Sequence, residues 1–273
     1  MLQRFIVAAT AAIGLVAAVS SAPAQTLDKI KKDGVLIVGT KADYKPFGYR
    51  DPSGAIIGFE PDLAKDVADR LHVKVQIEPV VGSNRMQFLQ QGKIDLMIAT
   101  MNDTPERRKI VGIVQPDYYA SGVNVFVAKK AALKSWDGLK GQKVCAIQGA
   151  WYNKPIAEKY GADIVAFKGT AEAETALQQG NCIGFVYDDT YFVDHLNDPK
   201  WSSFEMPLES INVEPWGLAV KLEERDGAWG KFMAGLLEEW HRTGKLIELE
   251  KKWGIQPSAF LKQMHEKFSK KGS

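Results

Sequence analysis

The sequence predicts an α/β protein built from two units. Short apolar runs alternate with amphipathic segments of helical period, and this alternation is typical of parallel sheets covered by helices. It occurs in two series, at residues 35–100 and 122–221, and a long helical stretch follows at residues 223–253. A chain of 273 residues is long enough for two modest hydrophobic cores. We expect a ligand at the carboxyl ends of the strands, where open α/β sheets bind their ligands.

The first series begins with an apolar run that predicts a strand. Its main helix is amphipathic, because Leu63, Val67 and Leu71 recur on one face. The predicted elements of this unit are strands at residues 35–40, 73–80 and 96–100 and helices at residues 60–71 and 84–91.

The second series starts at Gly122 with a run rich in valine. The predicted strands lie at residues 122–128, 143–147, 164–167 and 183–187, with an extended segment at residues 216–221. The predicted helices lie at residues 152–160, 171–179, 189–196, 223–240 and 245–253.

The charge balance gives no indication of nucleic-acid binding, because the formal net charge is only +2. The C-terminal end is basic through Lys267, Lys270 and Lys271. We interpret this end as a solvated tail.

The N-terminus has the pattern of a secretory signal peptide. Arg4 precedes an uncharged run from Phe5 to Val19, and Ala22 and Ala24 are small residues at the positions that a signal peptidase reads. The run is shorter than the roughly 20 residues of a transmembrane helix. We therefore predict an exported, periplasmic protein with cleavage after Ala24; an uncleaved anchor is the alternative.

Cys145 and Cys182 are the two cysteines of the chain. In an exported protein an even pair indicates a disulfide bond. Both residues lie in or beside apolar, strand-like runs, so two buried free thiols are the alternative.

One turn carries a local indication of a ligand site. After the strand at residues 96–100, Thr104 is a natural N-cap and Pro105 suits the first position of a helix. Free N–H groups at a helix start can hold an anion, and the guanidinium of Arg107 matches a carboxylate. A βα turn whose arginine forms a surface ion pair is the alternative.

Five short motifs follow one another along the chain. They are Gly58-Phe59-Glu60-Pro61-Asp62-Leu63, Gly92-Lys93-Ile94-Asp95-Leu96, Thr104-Pro105-Glu106-Arg107, Tyr118-Tyr119-Ala120-Ser121-Gly122 and Trp216-Gly217-Leu218-Ala219-Val220. In this order they resemble the bacterial extracellular solute-binding proteins of family 3, the periplasmic amino-acid receptors of ABC transporters. Pro61 departs from the family, which usually has an aliphatic residue there.

The resemblance implies a two-lobed periplasmic binding protein fold of type II, with two α/β lobes joined by a two-strand hinge. Residues 1–24 would be the signal peptide, residues 25–120 the first part of lobe 1, residues 121–214 lobe 2, and residues 215–273 the returning part of lobe 1. The hinge would consist of residues 118–122 and the segment near Glu214 and Pro215, about which the lobes close on a ligand.

The resemblance also assigns the main ligand contacts. Arg107 matches the family's clamp for the α-carboxylate, and Asp188 matches the carboxylate that holds the α-ammonium. A zwitterion needs a fixed partner of each sign, and one from each lobe makes closure satisfy both. The family further implies aromatic walls at Tyr44 and Phe59 and polar contacts at Thr100 and Asn102. A helix N-cap for Asp188 and a core role for Tyr44 and Phe59 are the alternatives.

Specificity in this family depends on the loop that contains Lys41. Receptors for aspartate and glutamate tend to carry a basic residue there, and Arg85 resembles an arginine that supplies a second basic group. Lys41 and Arg85 would then hold a side-chain carboxylate, which favours an acidic amino acid. The alternative is that Asp43 neutralises Lys41, because the two side chains lie on the same side of an extended segment.

The lobe 2 loop departs from the family pattern. Ala150 and Trp151 stand where the family usually has hydroxyl residues, so a donor is lost and an aromatic ring is added. This departure bears on which amino acid binds, and leaves open a receptor for another polar amino acid or a small carboxylate.

Some exported dehydratases share the family's fold, and such an enzyme would need a general acid over the pocket. The chain lacks Gly-x-Ser-x-Gly, His-Glu-x-x-His, P-loop and Cys-x-x-Cys motifs, and its four histidines lie in or beside helices. We predict a receptor without catalysis, cofactor or metal. Its partners would be a small-molecule amino acid and the membrane permease subunits of an ABC transporter. We expect a monomer.

Overall fold

The computed structural model of the protein describes residues 26–270. The predicted signal peptide, its cleavage site and Lys271 lie outside the described residues. The strands of the described chain are β1 (Val35–Thr40), β2 (Asp43–Tyr44), β3 (Gly48–Arg50), β4 (Ile56–Ile57), β5 (Lys74–Pro79), β6 (Leu96–Met97), β7 (Gly112–Ile113), β8 (Tyr119–Ala128), β9 (Lys143–Ile147), β10 (Asp163–Phe167), β11 (Gly184–Asp188), β12 (Phe204–Glu205), β13 (Ile211–Trp216) and β14 (Ala219–Val220). The α-helices are α1 (Thr26–Asp33), α2 (Phe59–Leu71), α3 (Arg85–Gln90), α4 (Asn153–Tyr160), α5 (Thr170–Gln178), α6 (Asp189–Leu196), α7 (Ala228–Thr243), α8 (Lys245–Lys252) and α9 (Ala259–Ser269).

The first sheet has the strand order β5-β1-β6-β14-β7. Strand β1 pairs in parallel with β5 and β6, as the alternation of strands and helices predicts. Strand β14 pairs antiparallel with β6 and β7, although the whole second unit separates them in sequence. We call the body around this sheet lobe 1.

The helices of lobe 1 bury one apolar face each. Helix α7 buries Trp229, Met233, Leu237 and Trp240, which recur every three or four residues, and it packs against α9. Each such side chain contributes about 1.5–3 kcal/mol by leaving water. The C-terminal helices therefore hold lobe 1 together.

The second sheet has the strand order β10-β9-β11-β8-β12, and β13 also pairs with β8. Strands β9, β10 and β11 are parallel, and β8 runs antiparallel to β11. The rings of Phe126, Phe185 and Phe192 pack together in the core beneath this sheet, with centroids 5.1 and 5.4 Å apart along the row. We call the body around this sheet lobe 2.

Two antiparallel segments connect the lobes. At the start of β8, Tyr119 and Ala120 pair with Trp216 and Pro215 at the end of β13. These are the two segments from which the sequence predicts a hinge. The rings of Tyr119 and Trp216 lie 5.3 Å apart beside this crossing, and Phe47 contacts both of them from lobe 1.

Three sequence predictions need correction. The predicted helix at Pro105 is a single 3₁₀ turn at Arg107–Lys109, and the predicted strand at residues 96–100 ends at Met97. The supposed basic tail is helix α9, because Leu261 and Phe268 are buried by packing on α7.

Within residues 26–270, no helix combines the length and the apolar character needed to span a membrane.

The predicted disulfide bond is confirmed. Cys145 on β9 is bonded to Cys182, two residues before β11, with their Cα atoms 5.6 Å apart. The bond ties together two neighbouring strands of the lobe 2 sheet.

Reduction of this bond should destabilise the protein. Closing a loop of this length contributes roughly 4 kcal/mol to the free energy of unfolding in the chain-entropy model. We expect a loss of that order when denaturant unfolding is measured with and without reductant. Thiol titration of the denatured, unreduced protein should detect no free thiol; two free thiols there would contradict the assignment.

Candidate ligand-binding site

A small cavity lies between the two lobes, at the carboxyl ends of β6, β9 and β11. Its residues are Gly82, Arg85, Thr100 and Asn102 from lobe 1 and Ile147, Gln148, Ala150, Tyr152, Tyr187 and Asp188 from lobe 2. Only about 10 Å³ is open to the centre of a water molecule, which is about the space of one water. The lobes are therefore closed on each other around a site that both of them build.

Arg85 is the buried cation at the lobe 1 wall of this cavity. It begins helix α3, and its Nη1 donates to the carbonyl oxygens of Ala99 and Thr100, the latter at 3.0 Å. The side chain is 4% exposed. These bonds hold the guanidinium against the loop that follows β6.

Arg107 lies in the 3₁₀ turn that follows this loop. Its Nη1 donates to the carbonyl oxygen of Asn102 at 2.9 Å, and its Nη2 donates across the lobes to the carbonyl oxygen of Gly149 at 2.8 Å. The hydroxyl of Thr104 accepts the backbone N–H of Arg107 at 3.3 Å, so Thr104 does cap this turn. Burial, and then the nearby charge of Arg85, lower the pKa of Arg107 to about 9.

The two arginines form a buried positive centre. Among residues 26–270, neither guanidinium forms an ion pair with a carboxylate, and carbonyl oxygens accept their hydrogen bonds. Because buried charges are normally paired, the centre is suited to an anionic group of a ligand.

Asp188 supplies the opposite charge from lobe 2. It is the last residue of β11, is 3% exposed, and accepts a hydrogen bond from the hydroxyl of Tyr152 at 3.1 Å. Its side chain makes no capping bond to α6, so the N-cap alternative does not account for it. Burial, and then the charge of Asp189, raise the pKa of Asp188 to about 7.

Glu60 is a buried carboxylate that the sequence interpretation did not place at the site. Its Oε1 accepts hydrogen bonds from the backbone N–H of Thr100 at 2.6 Å and from the hydroxyl of Tyr118 at 2.5 Å. Burial raises its pKa to about 7, against the opposing effect of these bonds and of Lys41 and Arg85. Its position within the Gly58–Leu63 motif was the signal that could have identified it.

Lys41 and Asp43 form an ion pair at the edge of the lobe interface. Lys41 Nζ lies 2.8 Å from Asp43 Oδ1, and the lysine side chain is only 1% exposed. The backbone oxygen of Asp43 accepts from the hydroxyl of Thr170 in lobe 2 at 2.9 Å. The alternative in which Asp43 neutralises Lys41 therefore has a direct geometric basis in this closed form.

The two predicted aromatic walls lie behind the residues that line the cavity, and the ring of Tyr44 is 5.4 Å from that of the lining residue Tyr187. Tyr44 is fully buried, and its hydroxyl lies 2.7 Å from that of Thr190 in lobe 2. Phe59 packs against Phe47 and Tyr119, with ring centroids 5.6 Å from each. Neither residue lines the cavity in its closed form.

The lobe 2 loop places its two unusual residues differently. Ala150 lines the cavity, whereas the half-buried Trp151 packs edge-on against Tyr152 with ring centroids 5.9 Å apart. The indole N–H of Trp151 is buried and makes no hydrogen bond within the described residues. Gln148, which also lines the cavity, had no role in the sequence interpretation.

Comparison with known proteins decides the family. Residues 36–256 match the model of the bacterial extracellular solute-binding proteins, family 3. The chain belongs to this family. As a family 3 protein it is the solute-binding protein of an amino-acid ABC transporter, and it has the two-lobed type II fold that the motifs imply.

Several known proteins resemble the chain over most of its length. The ABC transporter glutamine-binding protein GlnH of Bacillus subtilis is 33% identical and covers 84% of this chain and 84% of its own length. The glutamate/aspartate import solute-binding protein of Salmonella typhimurium is 24% identical, with coverages of 89% and 85%. The crystal structure of an ancestral amino acid-binding protein, AncCDT-1, a precursor of cyclohexadienyl dehydratase, superposes with a TM-score of 0.72 at 31% identity, covering 84% and 99%.

The relatives' names include glutamine and glutamate/aspartate, so similarity alone does not select a ligand for this solute-binding protein. Within the described residues, histidine, cysteine and acidic side chains form no group that could hold a metal ion.

Proposed function

We propose that this solute-binding protein closes its two lobes on a zwitterionic amino acid, with Arg107 on the α-carboxylate and Asp188 on the α-ammonium. The observation that carries the proposal is that buried Arg85 of lobe 1 and buried Asp188 of lobe 2 line one cavity, with the buried guanidinium of Arg107 close to both. At about 4 Å and an effective dielectric constant of 20, each ion pair is worth on the order of 4 kcal/mol before desolvation.

This cavity is too small for an amino acid, so binding requires rearrangement. The Nη2 group of Arg107 donates a hydrogen bond to the carbonyl oxygen of Gly149, and Asp188 accepts one from the hydroxyl of Tyr152. A ligand carboxylate would take over the first donor, and a ligand ammonium would pair with Asp188. The lobes would open about the β8 and β13 segments and close again on the ligand. We keep the lobe boundaries at residues 25–120, 121–214 and 215–273 as part of this proposal.

A screen for ligands tests the proposal. A bound amino acid at about 100 times its dissociation constant should stabilise the folded protein by about 2.7 kcal/mol, which a thermal unfolding scan detects as a higher melting temperature. No stabilisation by any of the common amino acids would contradict the proposal.

We propose further that the ligand is acidic. The support is the excess of buried cations. Among residues 26–270, Arg85 and Arg107 have no carboxylate partner, and Asp188 is the one acidic group that lines the cavity. A ligand with two carboxylates and one ammonium complements that set. Lys41 is the third cation in this part of lobe 1, where it and Arg85 both act on Glu60. A ligand carboxylate that reached Lys41 would compete with Asp43.

Acidic amino acids should bind better than their neutral amides. We expect aspartate and glutamate to bind about tenfold to over a hundredfold more tightly than asparagine and glutamine, because one charge-assisted contact is worth roughly 1.5–3 kcal/mol. Lys41→Met should remove most of this preference and leave the grip on the α-carboxylate. Competition calorimetry with both pairs measures it. Equal or inverted affinities within both pairs would reject the acidic ligand, and an unchanged preference in Lys41→Met would assign the contact to Arg85.

The transport role carries further proposals. We propose that the chain is exported to the periplasm with loss of residues 1–24, that it works as a monomer, and that it delivers its ligand to membrane permease subunits. We also propose that it does not catalyse a reaction. A prephenate-like acid incubated with the purified protein should remain unchanged, whereas its conversion would support the dehydratase alternative.

A further inference from the structure

Two loops of opposite lobes meet backbone to backbone beside the cavity. Gly82 lies between β5 and α3 of lobe 1, and Gly149 lies between β9 and α4 of lobe 2. A Cβ atom on Gly82 would lie 2.7 Å from the carbonyl oxygen of Gln148, and one on Gly149 would lie 2.5 Å from the carbonyl carbon of Gly82. Real Cβ atoms do not approach other atoms this closely. We call this contact of Gly82 with Gly149 the glycine seam.

The glycine seam is firmer than the surface ion pair that also joins the lobes. The ion pair between Lys45 and Asp194, at 2.9 Å, joins two partly exposed side chains that can rotate away. The seam instead joins two main chains, and the carbonyl of Gly149 is also held by Arg107. Because a main chain cannot yield by a rotamer change, the seam limits how far the lobes close.

The seam also adjoins the ligand space. Gly82, Gln148 and Ala150 all line the cavity, so its width on this side is the distance between the two loops. A side chain at either glycine would hold the lobes apart and widen the cavity. A short ligand would then lose contact with one lobe, whereas a longer ligand would gain room.

We infer that Gly82 and Gly149 are specificity-determining residues, which restrict the site to amino acids with short side chains by letting the lobes close main chain to main chain. The inference rests on the proposed binding of an amino acid. Gly82 and Gly149 thereby join the charged residues of the proposed site. Their functional property is that they have no side chain.

Two substitutions test the seam from opposite lobes. Gly82→Ala adds only a Cβ atom, because the backbone of Gly82 is not in the left-handed region. Gly149 has a φ of +80°, which asparagine tolerates better than most residues, so the backbone strain of Gly149→Asn is shared by a control at a glycine of similar φ. The matched controls are Gly235→Ala and Gly180→Asn. A Cβ atom at either control site meets nothing within 4 Å, and Gly180 has a φ of +75°.

Aspartate and glutamate are a short and a long ligand of the same charge, and calorimetry measures the affinity for each. We expect each seam variant to bind aspartate about fivefold to a hundredfold more weakly, with a smaller loss for glutamate, while both controls bind like the wild type. Thermal unfolding of the ligand-free variants checks that the fold is retained. Wild-type affinity for both ligands in either folded seam variant, or equal losses for the two ligands, would overturn the inference.

Small-angle scattering of the ligand-free proteins separates this inference from the proposed function. The seam variants should have a larger radius of gyration than the wild type and the controls, whether or not any amino acid binds. If wild-type protein binds no amino acid but the seam variants are more open, the proposed function fails and the limit to closure stands. An unchanged radius of gyration in both seam variants overturns the inference.

Discussion

Replacing Arg107 with alanine is expected to weaken amino-acid binding by about thirtyfold to several thousandfold. The change removes the guanidinium that bonds to the carbonyl oxygens of Asn102 and Gly149, and with it the proposed partner of the α-carboxylate. Truncating one partner of a buried, hydrogen-bonded charge pair costs about 2–5 kcal/mol, which converts to that range of affinity. Calorimetry with the best ligand from the screen measures the loss.

The neighbouring arginine is the matched control for this change. Arg108 lies in the same 3₁₀ turn, but its guanidinium is exposed and pairs with Asp103 outside the cavity. Arg108→Ala should therefore bind within a few-fold of wild type, because the guanidinium of Arg108 lies outside the cavity and makes no contact with the proposed ligand site. Wild-type affinity in Arg107→Ala, with an unchanged far-ultraviolet spectrum, would refute the assignment of the clamp.

Replacing Asp188 with asparagine is expected to weaken binding to a similar extent. The amide keeps the size of the side chain and can still accept from Tyr152, so lobe 2 should fold normally. The negative partner of the ligand ammonium is lost, and a cation would be buried without a counter-ion. Asp189→Asn is the control, because Asp189 accepts from the backbone N–H of Gly122 and an amide oxygen can take that role. Equal binding by the two variants would reject Asp188 as the ammonium site.

The same variant gives a pH signature. Burial raises the pKa of Asp188 to about 7, and a ligand ammonium would lower it again by stabilising the carboxylate. Binding then releases a proton below about pH 7, so affinity should rise with pH up to that value and level off above it. Glu60 titrates in the same range. The contribution of Asp188 is therefore obtained by difference. It is the part of the pH dependence of the affinity that the wild type shows and that Asp188→Asn lacks.

The strongly patterned elements were predictable from the sequence. The predicted strands at residues 35–40 and 143–147 match β1 and β9, and the helix at residues 189–196 matches α6, because apolar periodicity reports directly on burial. The turn at Thr104 was harder. The capping hydrogen bond of Thr104 forms as predicted. The helix nevertheless ends after one 3₁₀ turn, in which Arg107 is buried by tertiary packing. Helix α9 was missed because this segment was judged by its lysines, and its apolar face, on which Leu261 and Phe268 are buried, was overlooked.

The sequence indicates the charged residues of the candidate site more readily than the shape of the site. Arg85 and Asp188 line the cavity, and buried Arg107 lies near them in the 3₁₀ turn after the loop that follows β6. The packing of Phe59 into the core and the contact of Gly82 with Gly149 depend on how the lobes meet. No local pattern in the sequence encodes how closely the lobes approach each other, because this approach depends on residues far apart in the chain.

The interior position of β14 in the lobe 1 sheet has a consequence for biosynthesis. A ribosome releases β1, β5 and β6 early, but the strand that must lie between β6 and β7 emerges only at Ala219–Val220, and α7 later still. Lobe 2 draws its whole sheet from Tyr119–Ala128 to Ile211–Trp216 and so can form first. Long-range pairings are slow because the intervening chain must be ordered before they form. We therefore expect the strands and helices of lobe 1 that are synthesised first to remain unfolded until synthesis is nearly complete, after lobe 2 has formed.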